Sequence, residues 1–421
     1  MRKLFNKVTH NPQELVVGLC ILMVAAAGAA QQGVASTALA IMFILSLFHI
    51  RNWRVSWGAL EKTEKLVFAG FMLYTLTALL SWLNASDMDE FIKQSGRYIR
   101  FTLIIPVYLL IRAKNMDIRR YLLAGVVLSG FVYFGFALHS LYLKPGEPVA
   151  GHYHHITFGD GAMLSAGIMS VMILMPHKSA WLKIIIGVSL LGALYAAFMS
   201  QARGAWLALP LYLLVFIMYN SVSRKNTLLK LLLVSAVIGA LVVLTPAGSI
   251  IEKRYHEAVT EAGQFISGEN FDTSIGHRLA MWSIAYDVWR EHPVIGTGLG
   301  DFDEDMVRYQ AMGIYPEVVV YGSTHNIFVQ ALVGSGLVGF FGLCFGLVIA
   351  PLALFYHNKN ADKPYATMGM LVIASYVLFG LSESWILRAP VISVYITYVI
   401  SLSAISMNRK LAHKVERKMH G

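Results

Sequence analysis

The sequence predicts an all-α fold: a polytopic bundle of about twelve membrane-spanning helices with one large loop of amphipathic helices. Composition is the first observation behind this. Of 421 residues, 57% are apolar and only 14% charged, and mean hydropathy is +0.59. A soluble domain is about a quarter charged, so an ordinary cytosolic enzyme, a disordered chain and a collagen-like fibre are excluded. The second is the recurrence of apolar stretches near the length of about 20 residues that a spanning helix needs. The third is the lack of period-two alternation, which argues against a transmembrane barrel. Cys20 and Cys344 lie far apart inside apolar stretches, so they give no disulfide framework and no zinc spacing.

The first stretch, 14–30, follows Arg2, Lys3 and Lys7 and ends in small residues. It resembles a signal peptide, and we expect an uncleaved first span. Spans 34–49 and 65–83 follow. Span 98–111 has an uninterrupted apolar run only from Phe101 to Ile111. It therefore needs Tyr98 and Ile99, with Arg97 and Arg100 snorkelling to the interface. Spans 120–142, 158–175, 180–199, 204–220 and 228–245 complete the first part of the chain. After the long loop come 326–356, where Gly334 and Gly336 suggest a break, then 365–382 and 389–407. The expected organisation is thus spans one to nine in 1–245, a loop domain in 246–324, three spans in 325–407 and a basic tail in 408–421.

The net charge of +10 is explained by topology. With the N-terminus in the cytoplasm, roughly two-thirds of the Lys and Arg fall in cytoplasmic segments, as the positive-inside rule requires. Both termini are then cytoplasmic, the bilayer is the partner of the apolar surface, and no nucleic acid is expected. The long loop falls on the outer face and carries half of the 24 acidic residues. Loops of that size in a compact fold are usually functional. Ile251, Tyr255, Ala258, Ala262 and Phe265 recur at helical spacing, as do Met281, Ile284, Val288 and Trp289. They predict amphipathic helices lying over the outer mouth of the bundle.

Polar residues at the outer ends of the spans are few, which makes each informative. Ser323 or Thr324 is placed to cap the next helix, with His325 in its first turn. A helix N-terminus disfavours imidazolium, which suits a general base, although an interfacial histidine bonded to a carbonyl is the plainer alternative. Arg203 lies in the turn Ser200–Gly204, and Arg278 opens a loop helix. Two arginines near helix N-termini make a phosphate or pyrophosphate site, or else snorkel to headgroups. Glu383 and Arg388 flank the turn between the last two spans. They form an orienting ion pair, hold an acceptor or position His325. Lys93, Arg97 and Arg100 share this face and are candidates for substrate phosphates, and Asn326 adjoins His325.

Other features have simpler readings. Asp301–Asp305 is not an EF-hand, since Met306 and Met312 stand at its sixth and twelfth positions. It reads as an N-cap at Asp301 with an acidic first turn. His152, His154 and His155 have no further zinc ligand nearby. Gly296, Gly298 and Gly300 lack the preceding strand of a dinucleotide fold and read as a turn. Asn84-Ala85-Ser86 is a sequon that recurs by chance. No metal or cofactor is expected.

Taken together, Arg278–Trp282 with Pro293–Phe302, His325–Gln330 followed by Gly336, and Gln201–Trp206 resemble the motifs of the bacterial O-antigen ligase and polymerase superfamily. Glu383 stands where ligases often carry an acid. Two positions depart from the pattern: Ala202 where relatives often have Ser, and Gly334 where many have Glu. The resemblance implies a GT-C-type glycosyltransferase of the inner membrane, without metal or nucleotide sugar. Its donor is an undecaprenyl-pyrophosphate-linked glycan, and its acceptor in the ligase branch is the outer-core sugar of lipid A-core at the periplasmic face. It implies His325 as base and Arg203 and Arg278 on the pyrophosphate. An O-antigen polymerase and a pilin O-oligosaccharyltransferase share these motifs. A lipid-linked glycan flippase is the rival from another class. It calls for broken helices in repeats and midplane polar groups, whereas the ionisable residues here cluster at one face.

Overall fold

The computed structural model describes residues 12–145, 147–176, 179–219, 247–313 and 319–420. The expected span 228–245 lies outside the described residues. α1 (Pro12–Ala27) and α2 (Val34–Leu47) are followed by a 3₁₀ turn and the short α3 (Trp53–Gly58), bent by 69° from α2. α4 (Lys62–Leu79) opens with a capping box between Glu61 and Glu64. α5 (Met88–Tyr98) precedes α6 (Arg100–Ala113), and α7 (Arg119–Leu143), α8 (His155–Leu174) and α9 (Ala180–Met199) follow. α10 (Arg203–Trp206) leads into α11 (Leu209–Tyr219).

The long loop is helical: α12 (Ala247–Ser267), α13 (Ser274–Glu291) and α14 (Phe302–Ala311). α15 (Ile327–Leu343) continues through a π turn into α16 (Ala350–Asn358), and α17 (Lys363–Gly380) and α18 (Ala389–His420) end the chain. No strand occurs among the described residues. The chain is an all-α, multi-pass membrane protein.

Six of the described helices are long and apolar enough to cross a membrane, or seven if the bent pair α2–α3 counts as one span. α1 and the α10–α11 segment are apolar but shorter. The figure of about twelve came from apolar runs alone. Among the described residues, two of those runs form helices shorter than a span and one, α2–α3, is a bent pair. The span of α18 is 94% buried and that of α8 83%. These two helices therefore form the centre, while α7 and α9 turn much of their surface outward.

α5 was not expected as a separate element. Asp87 caps it by accepting from Asp89 and Glu90 N–H at 2.9 and 3.0 Å. Phe91, Gln94, Ser95 and Tyr98 form its buried face. That spacing brings Gln94 and Arg97 to the end of the bundle where the candidate site lies.

The loop helices have their own apolar core. Ala280, Met281, Ile284 and Val288 of α13 pack against Phe302, Met306 and Tyr309 of α14 and Val333 of α15. A break in α15 anchors this layer. Gly336 leaves helical geometry at φ 62°, ψ −164°. The peptide groups released there bond Pro293 and Val294, with Leu337 N–H to Pro293 O at 2.9 Å and Val338 N–H to Val294 O at 3.0 Å. A Cβ on Gly336 would lie 2.3 Å from Val294 C and O, so only glycine fits. Gly296, Gly298 and Gly300, all at positive φ, carry the turn onward to α14.

The acidic run behaves differently from expectation. Asp301 occupies the N-cap position of α14 but its side chain makes no cap bond. It accepts from Ser86 N–H at 2.8 Å, and Ser86 Oγ donates to Glu304 at 2.8 Å. The carboxylates thus fasten the loop layer to the α4–α5 connection, because the backbone there offers an unpaired donor.

Candidate active site

The cap of α15 is Asn326, not Ser323 or Thr324. Its side chain accepts from Phe328 N–H at 2.9 Å and Val329 N–H at 3.2 Å. Thr324 is diverted: its hydroxyl donates to Asn326 O, and its N–H donates to Gln330 Oε1. His325 therefore precedes the cap rather than lying in the first turn, and holds φ at +49°. A β-carbon residue in that region costs of order 1–3 kcal/mol and persists only where neighbours enforce it. Here Trp282 Nε1–H donates to Thr324 O at 2.9 Å on one side, and Asn326 N–H to Ser384 Oγ at 3.1 Å on the other.

This backbone aims the imidazole at the α17–α18 turn. His325 Nδ1 lies 3.0 Å from Glu383 Oε2. Arg388 Nη2 lies 3.6 Å from the other carboxylate oxygen. Glu383 is 4% exposed. Burial alone would raise its carboxyl, but the His325 bond and the charges of His325 and Arg388 outweigh that and hold it below its ordinary value. A carboxylate bonded to Nδ1 fixes the ring's orientation and leaves Nε2 as the nitrogen without a partner among the described residues. Glu383 is thus the carboxylate within bonding distance of His325, whereas Gly334 faces Gly298 and Leu299.

His325, Glu383 and Arg388 line a cavity of about 360 Å³ together with Gln94, Arg97 and Tyr321. Tyr321 was not singled out from sequence. Its ring lies edge-on to His325 at 5.6 Å, and its hydroxyl pairs with His277, which bonds Asp272.

Arg203 and Arg278 line a second cavity, of about 440 Å³, with His155, Gln201 and Ser382. Arg203 opens α10 after a turn in which Gln201 has φ +55°. His155 Nδ1 donates to Ser200 O at 2.8 Å, tying α8 to the end of α9. A Cβ on Gly204 would lie 1.7 Å from Ser382 Oγ, so the Arg203 turn packs directly on the α17–α18 turn. Arg278 lies one turn inside α13, which Thr273 caps, rather than at its opening. Neither guanidinium has a carboxylate partner among the described residues. Adjacent residues, Ser382 and Glu383, therefore face the two cavities.

The remaining candidates are placed elsewhere. Lys93 is well exposed, pairs with Glu90 at 2.7 Å and lines neither cavity. Arg100 is turned into the bundle, where it donates to Ser36 and Ser393 hydroxyls. Asn326 serves as the helix cap. His154 sits beside the site as the α8 cap residue, and burial and neighbouring His155 and Arg388 push its imidazole below the ordinary range. Among the described residues no group of His, Cys, Asp or Glu is arranged to hold a metal ion.

Residues 188–344 match the family described as O-antigen ligase. That segment, rather less than half of the chain, is similar to an O-antigen ligase domain. The matched segment contains Arg203, Arg278 and His325, while Glu383, Arg388 and Arg97 come from outside it. An uncharacterized protein of Haemophilus influenzae is 28% identical over 338 residues, 77% of this chain and 82% of the relative. The match supports an enzyme of the ligase or polymerase type, with glycan and lipid substrates at the bilayer.

Proposed function

We propose that the protein is an O-antigen ligase of the bacterial inner membrane. It transfers a glycan from undecaprenyl pyrophosphate to the outer-core sugar of lipid A-core at the periplasmic face, with both termini in the cytoplasm. The observation that carries this reading is the arrangement about the α17–α18 turn. A carboxylate-held histidine faces one cavity and two arginines face the other, with Nε2 and both guanidiniums lacking carboxylate partners among the described residues.

In this reading the donor pyrophosphate lies between Arg203 and Arg278. Each planar guanidinium offers paired donors to phosphate oxygens, and together they offset charge on the leaving group without a metal. The acceptor hydroxyl attacks the anomeric carbon from the His325 side. As the new C–O bond forms, the bond from that carbon to the phosphate oxygen breaks. The hydroxyl proton passes to His325 Nε2, and Glu383 stabilises the imidazolium through Nδ1–H. In-line displacement inverts the anomeric centre. The loop layer of α13 and α14 covers the reacting groups and limits competing water.

Purified protein reconstituted with undecaprenyl-pyrophosphate glycan and lipid A-core, without added metal, tests this. Glycan joined to lipid A-core is the expected product. Lengthening of the lipid-linked glycan without transfer to lipid A-core would instead establish a polymerase, and inhibition by EDTA with rescue by a divalent ion would overturn the metal-free route.

A further inference from the structure

We propose that the His325 cavity takes an acceptor sugar that bears an anionic group, phosphate or carboxylate, gripped by Arg97 and Arg388 while a nearby hydroxyl lies at His325 Nε2. This rests on the ligase reading and names the acceptor's chemistry. Arg97 and Arg388 line the same cavity, with Glu383 as the one acid among its lining residues. That carboxylate is shared, and its closer partner is His325 at 3.0 Å, against 3.6 Å for Arg388. Arg97 bonds only the neutral amide of Gln94 and has no ion pair among the described residues.

The two guanidiniums therefore leave the cavity with positive charge that the protein does not neutralise. Arg97 is half-buried and the Arg388 side chain is 45% exposed, so both remain reachable by a ligand anion, with which they form charge-assisted paired bonds. Arg97 is pulled below its ordinary range by burial, with the charge of Arg388 adding in the same sense against Tyr98 and Glu90. The donor pyrophosphate does not account for these arginines, because Arg203 and Arg278 supply a separate pair in the neighbouring cavity. Lys93 and Arg100 line neither cavity, so the surplus is specific to Arg97 and Arg388. A neutral sugar or a protein hydroxyl would leave it unanswered. Tyr321 adds an aromatic wall, as sugar rings favour.

The test compares intact lipid A-core, phosphatase-treated lipid A-core and carboxyl-reduced lipid A-core as acceptors for the full-length reconstituted protein. With wild type, removing the recognised anion should raise the acceptor KM about tenfold, equivalent to about 1.4 kcal/mol, with kcat within about twofold. Which treatment has this effect identifies phosphate or carboxylate. Arg97→Gln should raise KM for the intact acceptor by a similar factor and abolish its advantage over the treated one, and Arg97→Lys should recover part of it. Equal KM for all three acceptors with wild type would overturn the proposal without needing any variant to fold. So would an Arg97→Gln defect that falls equally on charged and uncharged acceptors, or that follows the anionic lipid content of the vesicles. Failure of wild type to use any of the three would instead bring down the ligase reading, and this proposal with it.

Discussion

Replacing Glu383 by Gln keeps the size and shape of the side chain and removes its charge. In the structure that carboxylate is 4% exposed and lies 3.0 Å from His325 Nδ1, so water screens the interaction little. A hydrogen bond to a charged group contributes about 1.5–3 kcal/mol. If the proton taken from the acceptor makes His325 an imidazolium, this contribution is felt most fully at the transition state. At about 1.36 kcal/mol per decade, the rate should fall about 10- to 150-fold. Glu383→Ala should fall further, because the ring also loses its orientation. Single-turnover transfer with donor and acceptor both saturating is the suitable assay, since slow product release then cannot hide the chemical step. A Gln variant within about threefold of wild type, in folded protein, would refute the view that Glu383 acts through His325.

Three further expectations can be checked separately. Arg203→Lys and Arg278→Lys keep the charge but lose the paired donors, so donor KM should rise about tenfold in each; unchanged donor titrations would reassign these arginines to headgroups. Gly336→Ala places a Cβ 2.3 Å from Val294 C and O at φ +62°, which should cost about 2–6 kcal/mol through strain and overpacking; a thermal unfolding midpoint equal to wild type would contradict the wedge between the loop and α15. The Glu383 carboxyl is held below its ordinary value of 4.5 in the fold. Its contribution to stability is therefore complete above the unfolded carboxylate pKa and is lost as pH falls through the folded one. Thermal stability should decline below about pH 4.5, and less steeply in Glu383→Gln.

Much of the candidate site was legible because charged groups at the ends of apolar helices are rare. That singled out His325, Arg203, Arg278, Glu383 and Arg388 from one sequence. What was not legible depended on contacts between distant segments. The choice of cap at α15 turns on the Thr324 hydroxyl donating to Asn326 O while Gln330 takes the Thr324 N–H, which leaves the cap to Asn326, and no local pattern announces that. α5 is an 11-residue helix without a long apolar run, so hydropathy does not reveal it, although Asp87 and the spacing of Phe91, Gln94, Ser95 and Tyr98 mark it. The break at Gly336 was visible as a glycine, but its occupant, Pro293–Val294, was not. Lys93 and Arg100 looked equivalent to Arg97 by position. The rotation of α5 and α6 separates them, turning Arg97 to the cavity and Arg100 to Ser36 and Ser393.

The division of labour across the α17–α18 turn has a physical consequence. Ser382 packs against the Arg203 turn while Glu383 holds His325, so one short segment sets the separation of Arg203 from His325. Reacting groups held at fixed separation gain the rate advantage of an intramolecular reaction. His325, Arg203 and Arg278 also stand on different elements, so the loop layer and the bundle must both be folded before the candidate site exists.

The most direct test of the central claim is the reconstituted transfer reaction run with wild type and His325→Ala side by side. Wild type should place glycan on lipid A-core, and the variant should lose at least about 100-fold, in line with removal of a general base, while still inserted and still binding donor. Transfer at the wild-type rate by His325→Ala would contradict it.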